Sequence, residues 1–282
     1  MTPPDSPRAR FAAQLGRPDA EIDLIEAALL IAAEHDVGVN LVSCRAQLDT
    51  LAQRARQVLA TPYPDAARLC EFVAAAEGFR GNAKDYYNPD NSYLDRVLAT
   101  RAGIPISLAL IYLRIAEALG LDAAGVGFPG HFLVRIAAPG SATAELIDPF
   151  TGRTLSRDDC RALLHTGTRG AVEFSEQLLQ PARKREILQR MLRNLKMIYL
   201  QREDFGESLS LCDRLLLIDA DALQDVMDRV LILEKLECFG PAADELERLA
   251  AHAELTGRPE ALASVTRKIE QLRSRTGGAT LH

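Results

Sequence analysis

The chain has 282 residues, of which 48% are hydrophobic, and a formal net charge of -6. That length allows one large domain or two ordinary ones, and the apolar fraction is ample for a buried core. Charge is evenly spread, with 16 basic and 17 acidic side chains in residues 183–282, so no basic patch suited to nucleic acid is expected.

Five widely spaced cysteines (Cys44, Cys70, Cys160, Cys212, Cys238) include no Cys-x-x-Cys pair. They suggest neither a disulfide framework nor a zinc knuckle, and they fit a reducing compartment. The opening MTPPDSPRAR lacks an apolar signal core, and no apolar run approaches the roughly 20 residues of a membrane span. The expectation is a cytoplasmic protein without membrane partner or cofactor.

Residues 1–78 read as a helical N-terminal region packing on the core. Asp19 is placed to cap a helix carrying Ile22, Ile25 and Leu29, and Ser43 one carrying Leu48, Leu51, Ala55 and Val58. Thr61-Pro62-Tyr63-Pro64-Asp65 then breaks the chain and starts a third helix with Leu69, Phe72 and Val73, ended by Gly78.

The next stretch offers Arg80, Asn82, Asp85, Tyr86, Tyr87, Asn88 and Asn91. A loop so rich in polar and aromatic side chains suits the wall of a binding cleft. Equally, its Asn and Gly serve turn geometry while its tyrosines cover core. Ser92 and Asp95 have capping-box spacing for a short helix through Val97 and Leu98, ending at Gly103. Pro105 suits the first turn of the following helix. Ile106, Leu108, Leu110, Ile111, Leu113 and Ile115 make that helix apolar on nearly all sides, as a buried central helix is.

Beyond Gly120 the pattern changes to period two. A strand ends near Phe128, and a second carries His131, Leu133 and Arg135 on one face with Phe132, Val134 and Ile136 on the other. Pro139-Gly140-Ser141 turns the chain, and Ala144 to Asp148 returns as the other arm of a hairpin. Cys160 lies one turn past Ser156 in a further helix. Residues 79–175 thus form an α+β core.

Residues 183–282 are helical and repetitive. Phe205-Gly206 recurs as Phe239-Gly240, and the same offset relates Ile198 to Ile232, Ser208 to Ala242 and Leu215 to Leu249. That spacing is the tetratricopeptide period, built from paired antiparallel helices, with about two repeats and a terminal helix. So short an array is expected to lean on the preceding domain.

The runs NPDNSYLDRVLATRAGIPISLALIYLRIAEALGL, GVGFPGHFLVRI and LIDPFTG, followed by these repeats, resemble the bacterial transglutaminase-like family fused to C-terminal tetratricopeptide repeats, often labelled an invasion-regulator family. The resemblance implies a papain/transglutaminase-like α+β core and no established activity. In active relatives of the wider superfamily the helix opens Gly-x-Cys and ends near a Leu-Gly pair. Counting back from Leu119-Gly120 puts the cysteine's counterpart at Pro105, while His131 and Asp148 match the histidine and aspartate of the triad.

Proline supplies no nucleophile. Ser107 is the nearest hydroxyl, but two residues rotate a side chain about 200° around a helix, so it faces away from where residue 105 points. Its bland role is a hydroxyl bonded to backbone. Cys44, in the first turn after Ser43, is a candidate for a lowered pKa, yet neither it nor Cys160 follows the Gly-x pattern. Cys70, Cys212 and Cys238 fall among apolar helix positions. A metal site on His131 and Asp148 with Asp85 or Glu145 lacks clustered ligand spacing. His131 with Asp148 therefore reads as an ordering contact left from an active site, or as part of a pocket for a peptide or carboxylate.

The leading expectation is a non-catalytic adaptor for a protein or peptide partner. The alternative is an amidase, protease or acyltransferase with an unconventional nucleophile, His131 as base and Asp148 as its orienter.

Overall fold

Ser6 starts the first helix, α1 (Pro7–Leu15), by accepting a hydrogen bond from Ala9 N at 3.2 Å, with proline at the first helical position. The computed structural model of the chain describes residues 5–59, 61, 63–251 and 259–278. Pro62 of the expected chain break lies outside them. The described residues divide into two compact units, Met1–Met191 and Leu192–His282.

Two caps in the first unit differ from the sequence reading. α2 (Leu24–His35) is capped by Asp23, whose carboxylate accepts from Glu26 N at 2.9 Å, and not by Asp19. Asp19 accepts from Lys184 N and Arg185 N at 2.9 and 3.0 Å, which ties down the start of α8 (Lys184–Gln201). A carboxylate satisfies the free N–H groups of whichever helix start packs against it, and sequence alone does not say which. α3 (Leu41–Leu59) opens on Asn40, which accepts from Ser43 N at 2.9 Å, so Ser43 lies inside the helix.

Asp65 caps α4 (Ala66–Cys70) as expected, and the chain continues through a single π-helical segment, Glu71–Ala76. Gly78 follows with a φ of +76°, a conformation open to glycine.

The Ser92 and Asp95 capping box does not form. Ser92 closes a 3-10 turn (Pro89–Asn91) at φ -102° and ψ -21°, whereas a capping residue needs extended backbone. α5 (Leu94–Thr100) ends at Arg101, which takes the left-handed conformation at φ +58°, ahead of Gly103. Gly103 belongs instead to β2 (Ala102–Gly103), paired in parallel with β1 (Arg80–Gly81).

Pro105 begins α6 (Pro105–Ala118), where its missing N–H breaks no helical bond. Leu108, Leu110, Ile111, Tyr112 and Ile115 are fully buried, between α3 and the main sheet. That sheet is antiparallel in the order β3 (Asp122–Val126), β4 (Leu133–Ala137), β5 (Glu145–Asp148), β6 (Arg153–Leu155). Its register pairs Val126 with Leu133, Val134 with Ile147 and Leu146 with Leu155.

Alternation sends Val126, Leu133 and Leu146 to one face, where they pack with Cys160 and Leu164 of α7 (Arg157–Thr168). Ser156 and Asp159 form a reciprocal capping box at the start of α7. Among the described residues no helix is long and apolar enough to cross a membrane.

The second unit continues from the end of α8 through α9 (Phe205–Ile218), α10 (Leu223–Lys235), α11 (Phe239–Ala250) and α12 (Pro259–Gly278). Phe205 and Phe239 each open a helix, and the residues just before those openings repeat as well: Glu203 and Glu237 take left-handed φ values of 57° and 59°. The matched positions Ser208 and Ala242 are both fully buried, as the small residues of a helical repeat are. Cys238 departs from its expected apolar setting. It precedes α11 and is exposed, because the corresponding position, Asp204, caps α9 at the surface.

Candidate functional site

Two turns deliver the histidine and the aspartate. Phe128-Pro129-Gly130-His131 closes with His131 N donating to Phe128 O at 3.0 Å, with Gly130 at φ +72°. Proline then glycine at the central positions are the residues a type II turn favours. His131 therefore stands just ahead of β4 rather than within it, because the turn takes up the residues before Leu133. At the far end of β5, Asp148-Pro149-Phe150-Thr151-Gly152 folds back, and Gly152 N donates to Asp148 O at 2.9 Å.

Across this gap His131 Nε2 lies 2.8 Å from Asp148 Oδ1. The same Oδ1 accepts from Phe150 N at 2.9 Å, and Oδ2 accepts from the Thr151 hydroxyl at 2.8 Å. Burial raises the Asp148 carboxyl, but the His131 interaction and these two bonds outweigh it and hold the group below its ordinary range.

Arg190 of α8 is a site residue that the sequence did not single out. Its guanidinium donates to Phe128 O at 3.1 Å and to His131 O, the two ends of the turn, and lies 5.4 Å from the Phe132 ring centroid. Burial pushes its pKa below the ordinary arginine value, and no carboxylate among the described residues pairs with it. Nothing in local sequence links residue 190 to residue 131. The link exists only once α8 packs beside the turn.

Pro105 occupies the first turn of α6, buried. Ser107 is fully buried, accepts from Ile104 N at 3.2 Å, and has Asn91 O at 2.5 Å and Ile104 O at 3.1 Å as acceptors for its proton. Its hydroxyl is thus spent on the backbone that starts the helix.

The cysteines offer no activated thiol at this site. Burial raises the Cys44 and Cys160 pKa values, so the lowered value considered for Cys44 is not what its surroundings produce. A helix start does not help a thiol that is screened from water and faces Asp95. Cys70 lies within electrostatic reach of Asp148, and burial, with the Asp148 and Glu145 charges, pushes it up to about 12 despite a neighbouring Tyr112 phenol. Such a thiol is almost wholly protonated at neutral pH.

The 80–91 segment divides between its two readings. Asn91 donates to Asp85 O and Tyr86 O at 2.6 and 3.2 Å, Asn82 donates to Asn91 Oδ1 at 3.0 Å, and Asn88 donates to Asp85 Oδ2 at 3.0 Å. These side chains hold the loop's shape. The tyrosines do not cover core: Tyr86 and Tyr87 are 41% and 59% exposed, meet edge to face, and the Tyr86 ring lies 5.9 Å from Phe150 beside Asp148. Arg80 is exposed and lines a separate open cavity with Cys70 and Thr151. Among the described residues no cluster of three or more metal-ligating side chains occurs.

An imidazole oriented by a buried carboxylate, on an antiparallel sheet that packs against a buried central helix, is the arrangement of a transglutaminase-like protein. A family model described as transglutaminase-like superfamily matches residues 43–193, and a tetratricopeptide-repeat model matches residues 195–275. A UPF0162 protein of Xylella fastidiosa is 34% identical over 238 residues, covering 82% of this chain and 84% of that one. A UPF0162 protein of Pseudomonas aeruginosa is 32% identical over 231 residues, covering 80% and 83%. Human F-box only protein 21 is 39% identical over 124 residues, which is 42% of this chain and 19% of that protein. The chain belongs to the UPF0162 family of transglutaminase-like proteins.

Proposed function

We propose that this protein is a non-catalytic adaptor whose transglutaminase-like cleft, around His131, Tyr86 and Tyr87, holds a peptide segment of a partner protein while its repeats offer a second helical surface. The observation that carries this reading is Pro105 at the start of α6, the position of the nucleophile in active relatives. The Ser107 hydroxyl is engaged by backbone, and the Cys70 and Cys160 thiols are driven toward their protonated forms, so none of these three suits the missing step. Exposed tyrosines beside the His131–Asp148 pair suit binding, because they give large rigid contact area with a hydrogen-bonding tip. Tetratricopeptide arrays present extended concave surfaces to proteins, which supports a partner of that class.

The test uses the pure full-length chain. Ammonia release and amine transfer are measured on glutamine-containing peptides, beside affinity capture by wild type, His131→Ala and a chain ending at Met191. The adaptor reading expects no turnover above buffer from any of them, and altered capture by the last two. Turnover by wild type that His131→Ala abolishes would overturn it.

A further inference from the structure

At one edge of the four-stranded sheet, β3 forms one wall of a cavity of about 750 Å3. An exposed edge carries unpaired N–H and C=O groups that template a further strand, so folded proteins normally cover or blunt it.

In an antiparallel strand the N–H and C=O of one residue point to the same side, and that side alternates along the chain. Gly125 O accepts from Ala182 N at 2.8 Å, so Gly125 faces away from β4. Alternation turns the N–H and C=O of Ala123 outward too, while Ala124, opposite Arg135, bonds inward. Ala182 occupies only the Gly125 end. Among the described residues nothing bonds the outward groups of Ala123.

The cavity is of a size that takes a ligand, since such clefts run to about 300–1,000 Å3. Leu24, Ile25, Leu113 and Leu121 supply apolar surface along it, and the small side chains of Ala123 and Ala124 let another backbone approach at the roughly 4.8 Å of a strand pair. Its charge is unbalanced. Arg45 is paired with Asp23 and Glu26 and Arg114 with Asp49 and Glu117, while the Lys184 ammonium is hydrogen-bonded by Ala20 O and Ile22 O and keeps its charge. Glu21 and Asp122 line the same space with no ion-pair partner among the described residues, so two carboxylates face that one ammonium.

We infer that this groove takes an extended peptide segment of a partner protein as an added strand beside β3, with basic side chains at its ends facing Glu21 and Asp122. Main-chain bonds to Ala123 supply affinity, and alternate apolar side chains entering the groove supply selectivity. The inference is independent of the role given to His131 and Asp148, neither of which lines this cavity.

The probe is a fluorescein-labelled heptapeptide with lysine at both ends and alternating valine and threonine between, read by anisotropy and by hydrogen exchange at the Ala123 amide of the full chain. Two control peptides are the same sequence N-methylated at alternate amides and a version with glutamate ends. Binding is expected to protect the Ala123 amide, to weaken at least tenfold on N-methylation, and to prefer lysine ends. Ala123→Pro removes only an outward-facing donor, so it is expected to keep the native circular dichroism and to lose peptide. Asp122→Lys is expected to reverse the preference between lysine and glutamate ends, which keeps the idea testable even if the proline variant misfolds. No binding at millimolar peptide, N-methylated peptide bound equally well, or Ala123 protection arising only from concentration-dependent self-association would each overturn the inference.

Discussion

The Ser107 hydroxyl points at the main-chain oxygen of Asn91, 2.5 Å away, and accepts the N–H of Ile104. One side chain thereby ties the end of the 3-10 turn to the start of α6. Ser107→Ala removes these bonds while Ile104 N keeps its own bond to Asn91 O at 3.2 Å, so a loss of about 0.5–1.5 kcal/mol is expected in urea melts of the whole chain. Ser107→Cys is expected to gain no acyl-transfer activity, since the new thiol inherits a buried position turned toward Asn91.

Asp148 ties stability to pH. Its carboxyl titrates lower in the folded chain than its ordinary 3.8. A group depressed on folding contributes stability in full above its unfolded value, and that contribution is lost as pH falls through the folded one. Melting temperature followed below pH 4 should therefore fall less steeply in Asp148→Asn than in wild type, although the variant starts about 1–3 kcal/mol weaker at neutral pH for want of a charged acceptor. Parallel acid limbs for the two proteins would show that Asp148 carries none of the dependence.

The central elements of this site were legible in sequence because their signals are local. Pro105 beside an all-apolar helix, Pro139-Gly140-Ser141 as the hairpin turn, and the alternation through Ile136 each need only a few neighbouring residues. The missed features are those where a polar group serves a distant element. Asp19 bonds the start of α8, and Arg190 bonds both ends of the His131 turn. The failed Ser92 box has the same origin, since a preceding 3-10 turn set its backbone against the capping conformation. In the repeats, periodicity located the helix starts yet put Cys238 among apolar positions, because period alone does not tell a cap from a core residue.

Arg190 is the residue that holds His131 in place without touching its ring. Arg190→Met keeps much of the apolar stem and removes both bonds to the turn. Faster amide exchange across residues 128–131 and a loss of about 1–3 kcal/mol are expected. Arg190→Lys should recover only part of this, because a single ammonium does not reproduce a planar fork across two carbonyls. Unchanged exchange in Arg190→Met would show that the turn holds its shape without the clamp.

Thiol chemistry separates the five cysteines. Cys238 is exposed and the other four are buried. In native protein one fast-reacting equivalent toward a disulfide reagent is expected, and Cys238→Ser should abolish it. Cys70 has the opposite character. With its folded value raised to about 12 from an ordinary 9.0, its stabilisation is complete below pH 9 and declines as pH rises toward the folded value. Denaturation should release all the slow thiols together, and a fast equivalent surviving in Cys238→Ser would show that one of Cys44, Cys70, Cys160 and Cys212 is accessible in the native fold.

Gly81 and Phe150 set the depth of the aromatic wall beside Asp148. A Cβ on Gly81 would overlap the Phe150 ring, closer than atoms pack. Gly81 N also donates to Phe150 O at 2.9 Å, so the ring and its backbone are held against the same residue. Gly81→Ala must displace Phe150, whose ring centroid lies 5.9 Å from that of Tyr86 and which follows Asp148 by two residues. A loss of about 1–3 kcal/mol is expected from overpacking. The double variant Gly81→Ala with Phe150→Leu should recover part of it by removing the clashing ring edge, as coupled neighbours do. If the two substitutions instead add independently, the contact between Gly81 and the ring does not limit this wall.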